Sequence, residues 1–222
     1  MKGKRRSAVL RKSILGVLVA FASAFIFPAF SSCSNVAPNI DVIQDTVVFD
    51  FPDSKSTPSM RLSVFVQTAA DERKVDSVRL VHDASGLEWV CNSPRKVGET
   101  EKTVWAGYTN FVPATGSSIP LGLYTFHYVD MAGEESQSQF RVSYPESILK
   151  RTPENILSEI RNYDELVAVY DADGILLYLG PRLENWSGDG DIKKSYGLAE
   201  KIRVCYRMEG GSVICMMPPK DL

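Results

Sequence analysis

The side chains that could do chemistry here are a few thiols, some close carboxylates and an aromatic group. Cys205 and Cys215 flank Met208-Glu209-Gly210-Gly211. A three-residue loop of Glu209 to Gly211 would set the two sulfurs opposite each other on a hairpin, where oxidation joins them, with Gly211 supplying the left-handed residue such loops want. Two buried thiols are the alternative, since cysteine packs well as a small hydrophobe. Asp171 with Asp173, and Asp189 with Asp191, bring carboxylates close enough to attract a divalent cation, but neither pair has the distal Glu of a calcium loop. Turn chemistry accounts for the first pair and loop composition for the second, so no metal and no cofactor is expected. The two histidines, His82 and His127, fall far apart on expected strands. No Gly-x-Ser-x-Gly elbow, zinc helix or phosphate loop is present. Ser147 and Lys150 have Ser-x-x-Lys spacing without its companion motifs. Trp105, Tyr108 and Phe111 could form a sugar-stacking or partner patch, or serve as core.

The elements that must position these groups begin with a leader. Lys2, Lys4, Arg5, Arg6, Arg11 and Lys12 precede an uncharged apolar run, Ile14 to Phe30, which is the plan of an export signal over residues 1–32. As a helix the run would span roughly 25 Å, short of a bilayer's hydrocarbon core of about 30 Å. Pro28 ends helical structure near its close. The segment Phe30-Ser31-Ser32-Cys33 resembles the bacterial lipobox, with Phe30 in place of the usual Leu, a form found among spirochaete lipoproteins. The resemblance implies that Cys33 becomes the acylated N-terminus and that lipid holds the protein to the cell envelope, at the inner or outer membrane. Two or more acyl chains make such anchorage stable.

Removing the leader leaves 19 basic against 27 acidic residues, a net charge of −8 instead of −2. Such a surface repels nucleic acid, and the counterion release that drives binding to it is missing. With Cys33 acylated, Cys91, Cys205 and Cys215 remain, which allows one disulfide at most and no disulfide framework.

Residues 33–45 read as a lipidated tether. From 46 to 145, short alternating segments are separated by turn residues about every ten positions, the pattern of an antiparallel β-sandwich. Expected strands are Thr46 to Phe51, Met60 to Gln67, Val75 to His82, Leu87 to Cys91, Thr103 to Phe111, Leu121 to Asp130 and Ser138 to Tyr144. Leu62, Val64 and Val66 face one way and Arg61, Ser63 and Gln67 the other, so one side is core. The stretch Gly122-Leu123-Tyr124-Thr125-Phe126-His127-Tyr128-Val129-Asp130-Met131-Ala132-Gly133 resembles the penultimate strand and turn of bacterial Ig-like and fibronectin-III-like domains. That resemblance makes Tyr124 a tyrosine-corner residue bonded back to the preceding loop, and carries no activity with it.

Thr152-Pro153-Glu154 reads as a helix start, with a linker helix from Pro153 to about Asn162 whose apolar stripe is Ile156, Leu157 and Ile160. Strands near Leu166 to Tyr170, Ile175 to Leu179, Lys201 to Arg207 and Ser212 to Met217 follow, giving residues 146–222 the outline of a small α+β unit. Ala168 to Pro181 resembles the opening hairpin of PAS-type sensors, with too few residues after Tyr163 for that fold. The expectation is mainly β: an Ig-like sandwich, a linker helix and the α+β unit. The expected role is a membrane-anchored, non-catalytic binding or scaffolding module with an envelope protein or glycan as partner. A periplasmic hydrolase or ligand sensor using the C-terminal unit is the alternative.

Overall fold

Strands form where the sequence alternates. In β3 (Val75–His82), Val78, Leu80 and His82 are buried, and in β7 (Gly122–Asp130), Tyr124, Phe126, Tyr128 and Asp130 are, while the residues between them face outward. With β4 (Leu87–Cys91) and β8 (Glu135–Val142) they form a four-stranded antiparallel sheet in the order β4-β3-β7-β8. The computed structural model describes residues 39–69, 75–97, 103–115, 117–208 and 210–222. Cys33 and the leader lie outside the described residues.

The second sheet is assembled from both ends of the described chain. Its strands are β1 (Ile40–Asp50), β2 (Ser59–Ala69), β5 (Arg95–Val97), β6 (Thr103–Phe111), β9 (Tyr163–Tyr170), β10 (Leu176–Gly180), β11 (Lys201–Met208), β12 (Val213–Met216) and β13 (Lys220–Asp221). They run in the order β10-β9-β11-β12-β1-β2-β6-β5, with β13 paired to β11. All pairings are antiparallel except β1 with β12. The fold is therefore mainly β, with two sheets packed on one another. Leu62, Val64 and Val66 of β2 meet Val78 and Leu80 of β3 and Tyr124 and Phe126 of β7 in one buried cluster. The Tyr124 hydroxyl donates to the Pro120 carbonyl at 2.8 Å. At the β7–β8 turn the Asp130 carboxylate accepts the Ala132 and Glu134 amides at 2.8 and 3.0 Å, and Gly133 takes φ +81°.

The boundary expected at Pro145 falls inside a single compact unit, Ala37–Leu222. The reason is the edge of β1. Left alone it would expose unpaired backbone groups; β12 seals it by parallel pairing from Val47 with Val213 to Asp50 with Met216. The expected α+β unit is thus not a separate layer, because its strands extend the large sheet. The expected tether also ends early, since β1 begins at Ile40, where Ile40 and Ile43 are already partly buried against the core.

The linker helix is replaced by two short 3-10 turns, Glu146–Lys150 and Pro153–Ser158. Thr152 flanks the second as expected but makes no side-chain cap. Asn162, at φ +49°, then swings the chain directly into β9. The turns work as plugs: Ile148, Ile156 and Ile160 are buried in the main core. The stretch read as a polar loop holds one helical turn and more, α1 (Asp189–Ser195). Asp189 and Asp191 in its first turn and Lys193 and Lys194 in its last complement the helix dipole. Ile192 anchors it beside Trp186 against Val167, Val169 and Ile202 of the large sheet.

Candidate functional site

One face of the large sheet packs on the four-stranded sheet, the isoleucine plugs and α1; the other carries rows of side chains that strand register aligns. Val48 pairs with Arg61 on one side and Ile214 on the other, and Ile214 pairs with Arg207, so one row reads Arg61-Val48-Ile214-Arg207. The next row reads Asp50-Met216-Cys205-Leu166. Ala168 with Leu179, then Tyr170 with Leu176, continue toward the β10 edge. On the opposite flank Ser63 pairs with Thr46 and Phe65 with Gln44.

This face is concave. Seven strands, from Thr109 of β6 to Leu179 of β10, contribute lining to one cavity of about 600 Å³, within the size range of small-molecule sites. Val48, Leu166 and Met216 are nearly covered at its floor, while Leu176 and Leu179 at its rim are about half exposed. Among the described residues Arg61 and Arg207 are its charged lining; Gln44, Thr46, Ser63 and Thr109 supply amide and hydroxyl groups. A second cavity of about 390 Å³ shares Gln44, Thr46 and Ser63 and ends on Phe65, Val97 and Trp105, so the trough continues toward β5.

The arginines are held from the side, by carboxylates on the same face of the sheet. Arg61 Nη1 donates to Asp50 Oδ2 at 3.1 Å, and its Nη2 reaches the Met216 sulfur at 3.6 Å. Arg207 grips Asp164 Oδ2 through Nε at 3.3 Å and Nη2 at 2.7 Å. Arg203, only 12% exposed, donates to Asp50 Oδ1 and to the carbonyls of Phe51, Met216 and Met217. Burial alone would raise the Asp50 carboxyl, but the hydrogen bond and charge of Arg203, aided by Arg61, hold it below the ordinary carboxylate range. Burial keeps the Tyr170 phenol protonated, as a neutral donor.

Of the possible aromatic patch, Trp105 alone faces the trough. Register puts Tyr108 opposite Val64 and Phe111 opposite Leu62, on the core side, where the two rings meet edge to face at 5.3 Å; Trp105 lies opposite Gln67 on the other face. Phe111 is buried. Between the possible disulfide and two buried thiols, register decides for the thiols. Cys205 pairs with Met216 and Tyr206 with Cys215, because the loop spans four residues rather than three. The two thiols therefore point to opposite faces of the sheet and are free, as is Cys91.

The remaining candidates serve local structure. Asp171 accepts the amides of Asp173 and Ile175 at 3.0 and 2.7 Å, the same turn that Asp130 makes. Asp191 takes the Ser187 amide and Lys194, and Asp189 takes Lys220. Among the described residues no cluster of ligating side chains could hold a metal. His82 is buried between Ser85 Oγ at 2.7 Å and the Leu121 carbonyl at 3.2 Å; His127 lies outward beside Arg79 and Glu135.

Alternation along β2 sets Arg61 and Ser63 opposite the core without showing that they line a recess. The signal was in Val47-Val48-Phe49 and Val213-Ile214-Cys215-Met216-Met217. Continuous apolar runs belong to strands buried on both faces, so their outward members had to be covered or to line a recess. Comparison with family models, curated proteins and solved structures returns no match for this chain.

Proposed function

We propose that this protein is a lipid-anchored cell-envelope lipoprotein, acylated at Cys33, that acts as a non-catalytic binding module through the trough on its large sheet. The leader, the small residues before Cys33 and the absence of charge in the apolar run support the anchor. We read strands β1 to β8 as an Ig-like sandwich: β1-β2-β6-β5 stands over β4-β3-β7-β8, and Tyr124 bonds back four residues to Pro120. The C-terminal strands widen that scaffold and build half of the trough.

The observation that carries the binding role is the convergence of seven strands on one recess with an aliphatic floor, polar flank and two guanidinium groups. Those are groups that hold and orient a ligand. The six residues from Ser34 to Asn39 reach about 20 Å when extended, so the trough works close to the leaflet that carries the anchor. An envelope protein or glycan is a partner class this position allows, and the acidic mature chain disfavours nucleic acid.

The test is a photo-crosslinking residue placed in cells at Leu179, on the rim, or at Leu198, which is exposed elsewhere. An envelope adduct at Leu179 and none at Leu198 is expected, and Cys33→Ala should abolish both the adduct and membrane retention. Equal labelling at the two positions would remove the trough from the function.

A further inference from the structure

The ligand's chemistry can be read from the lining, given that the trough is the binding surface. Between Arg61 and Arg207 lie three strand spacings, about 14 Å, and the residues in the gap are Val48 and Ile214. The apolar floor continues from there to Leu179 near the sheet edge. Among the described residues no carboxylate lines the cavity, although the mature chain is strongly acidic. Asp50 and Asp164 hold the guanidiniums from outside the lining, and among the described residues Arg61 Nη2 has only a thioether, a weak acceptor, while Arg207 bonds through Nε and Nη2 to Asp164 alone.

We propose that the trough takes a monomeric, single-chain anionic amphiphile, an acyl chain ending in a carboxylate or phosphate. The chain lies on Val48, Ile214 and Leu179, and the head group pairs with Arg207 or Arg61. A neutral sugar would leave the aliphatic floor unused, and a plain hydrocarbon would leave the arginines unanswered. Guanidinium groups match carboxylate and phosphate oxygens in geometry as well as charge.

The experiment is calorimetric titration of the mature polypeptide without its acyl groups, which retains the whole compact unit Ala37–Leu222, with decanoate as the probe. Saturable binding at one site is expected. Octanoate should bind about fifteenfold more weakly, because it lacks two methylenes and each buried one is worth roughly a fourfold change in affinity. Arg207→Gln should weaken decanoate about tenfold and leave decanol unchanged, and Leu179→Ser should weaken both; Leu198→Ser should alter neither. Both tested side chains are near half exposed, and thermal unfolding of each variant verifies its fold. Decanoate and decanol binding alike, decanoate affinity unmoved by both variants, or binding only to phosphatidylglycerol vesicles would each overturn the proposal. Saturable binding of an acidic Leu-Glu peptide with no uptake of decanoate would also overturn it, while leaving the binding-module reading intact.

Discussion

Asp50 Oδ1 accepts a 2.6 Å hydrogen bond from Arg203 Nη2, joining β1 to β11 past the strand that lies between them. Arg61 holds the second carboxylate oxygen, so a single side chain ties the sandwich strands to the C-terminal ones beside the trough. Asp50→Asn removes the charge and leaves the largely buried Arg203 without its anion. Such a loss costs about 1–3 kcal/mol. The pH dependence has a definite sign: the carboxyl titrates lower in the folded chain than in the unfolded one. Its contribution is therefore fully present above the unfolded pKa of about 4 and is lost as pH falls through the folded value. Urea midpoints measured from pH 7 to 3 should drop for the wild type below about pH 4 and drop less for Asp50→Asn.

The β1–β12 pairing makes the described chain one cooperative structure. Val213, Cys215 and Met217 share a buried cluster with Phe49, Leu62 and Tyr124, so neither half has a complete core alone. In variants keeping only Trp89, on β4, or only Trp186, beside α1, tryptophan fluorescence and far-ultraviolet circular dichroism should give the same urea midpoint. A chain ending at Pro145 should fail to fold, since it bares the β1 edge and loses Ile148, Ile156 and Ile160. Two separated transitions, or a soluble folded fragment 34–145, would contradict this.

The Tyr124 corner sets the pole where β7 begins. Tyr124 is buried, bonds to Pro120, and packs against His82 with centroids 4.8 Å apart. Tyr124→Phe keeps the ring and deletes the bond, for a loss of about 0.5–1.5 kcal/mol. Gly122 beside it has φ +135°, and a Cβ there would lie 3.0 Å from His82 Nε2. Gly122→Ala should therefore cost more, about 1–3 kcal/mol. Thermal unfolding that ranks the two variants in the reverse order would show that the hydroxyl's bond to Pro120, not the backbone at Gly122, sets this corner.

Local chemistry was legible in the sequence and non-local register was not. Strands β3, β4 and β6 begin and end where alternation and turn residues place them, because each is decided within about ten residues. The turn at Asp130 is decided the same way. The linker helix failed because helical propensity over Pro153 to Asn162 yielded to packing: burying Ile156 and Ile160 and entering β9 at Tyr163 leaves room for a 3-10 turn only. The trough was hidden because its central row joins Val48 to Ile214, residues far apart in sequence whose parallel pairing no local pattern announces. The patch at Trp105, Tyr108 and Phe111 split because Trp105 and Tyr108, three residues apart on one strand, face opposite ways, and the slip of β2 against β6 between Leu62 and Val64 puts Phe111 on the core side with Tyr108.

Register also decides the thiols. A one-residue offset sends Cys205 and Cys215 to opposite faces of the sheet, and burial pushes their pKa up to about 11 and about 12. At pH 8 the thiolate fraction of each is on the order of 10⁻³ or less, and the thiolate is the reacting species. The native protein should thus resist iodoacetamide at these positions for hours. In a Cys33→Ala chain in 6 M guanidinium without reductant, Cys91, Cys205 and Cys215 should each take one adduct, seen as three mass increments. A single increment under those conditions would mean that two of the thiols are bonded, and that β11 and β12 pair in the eclipsed register instead.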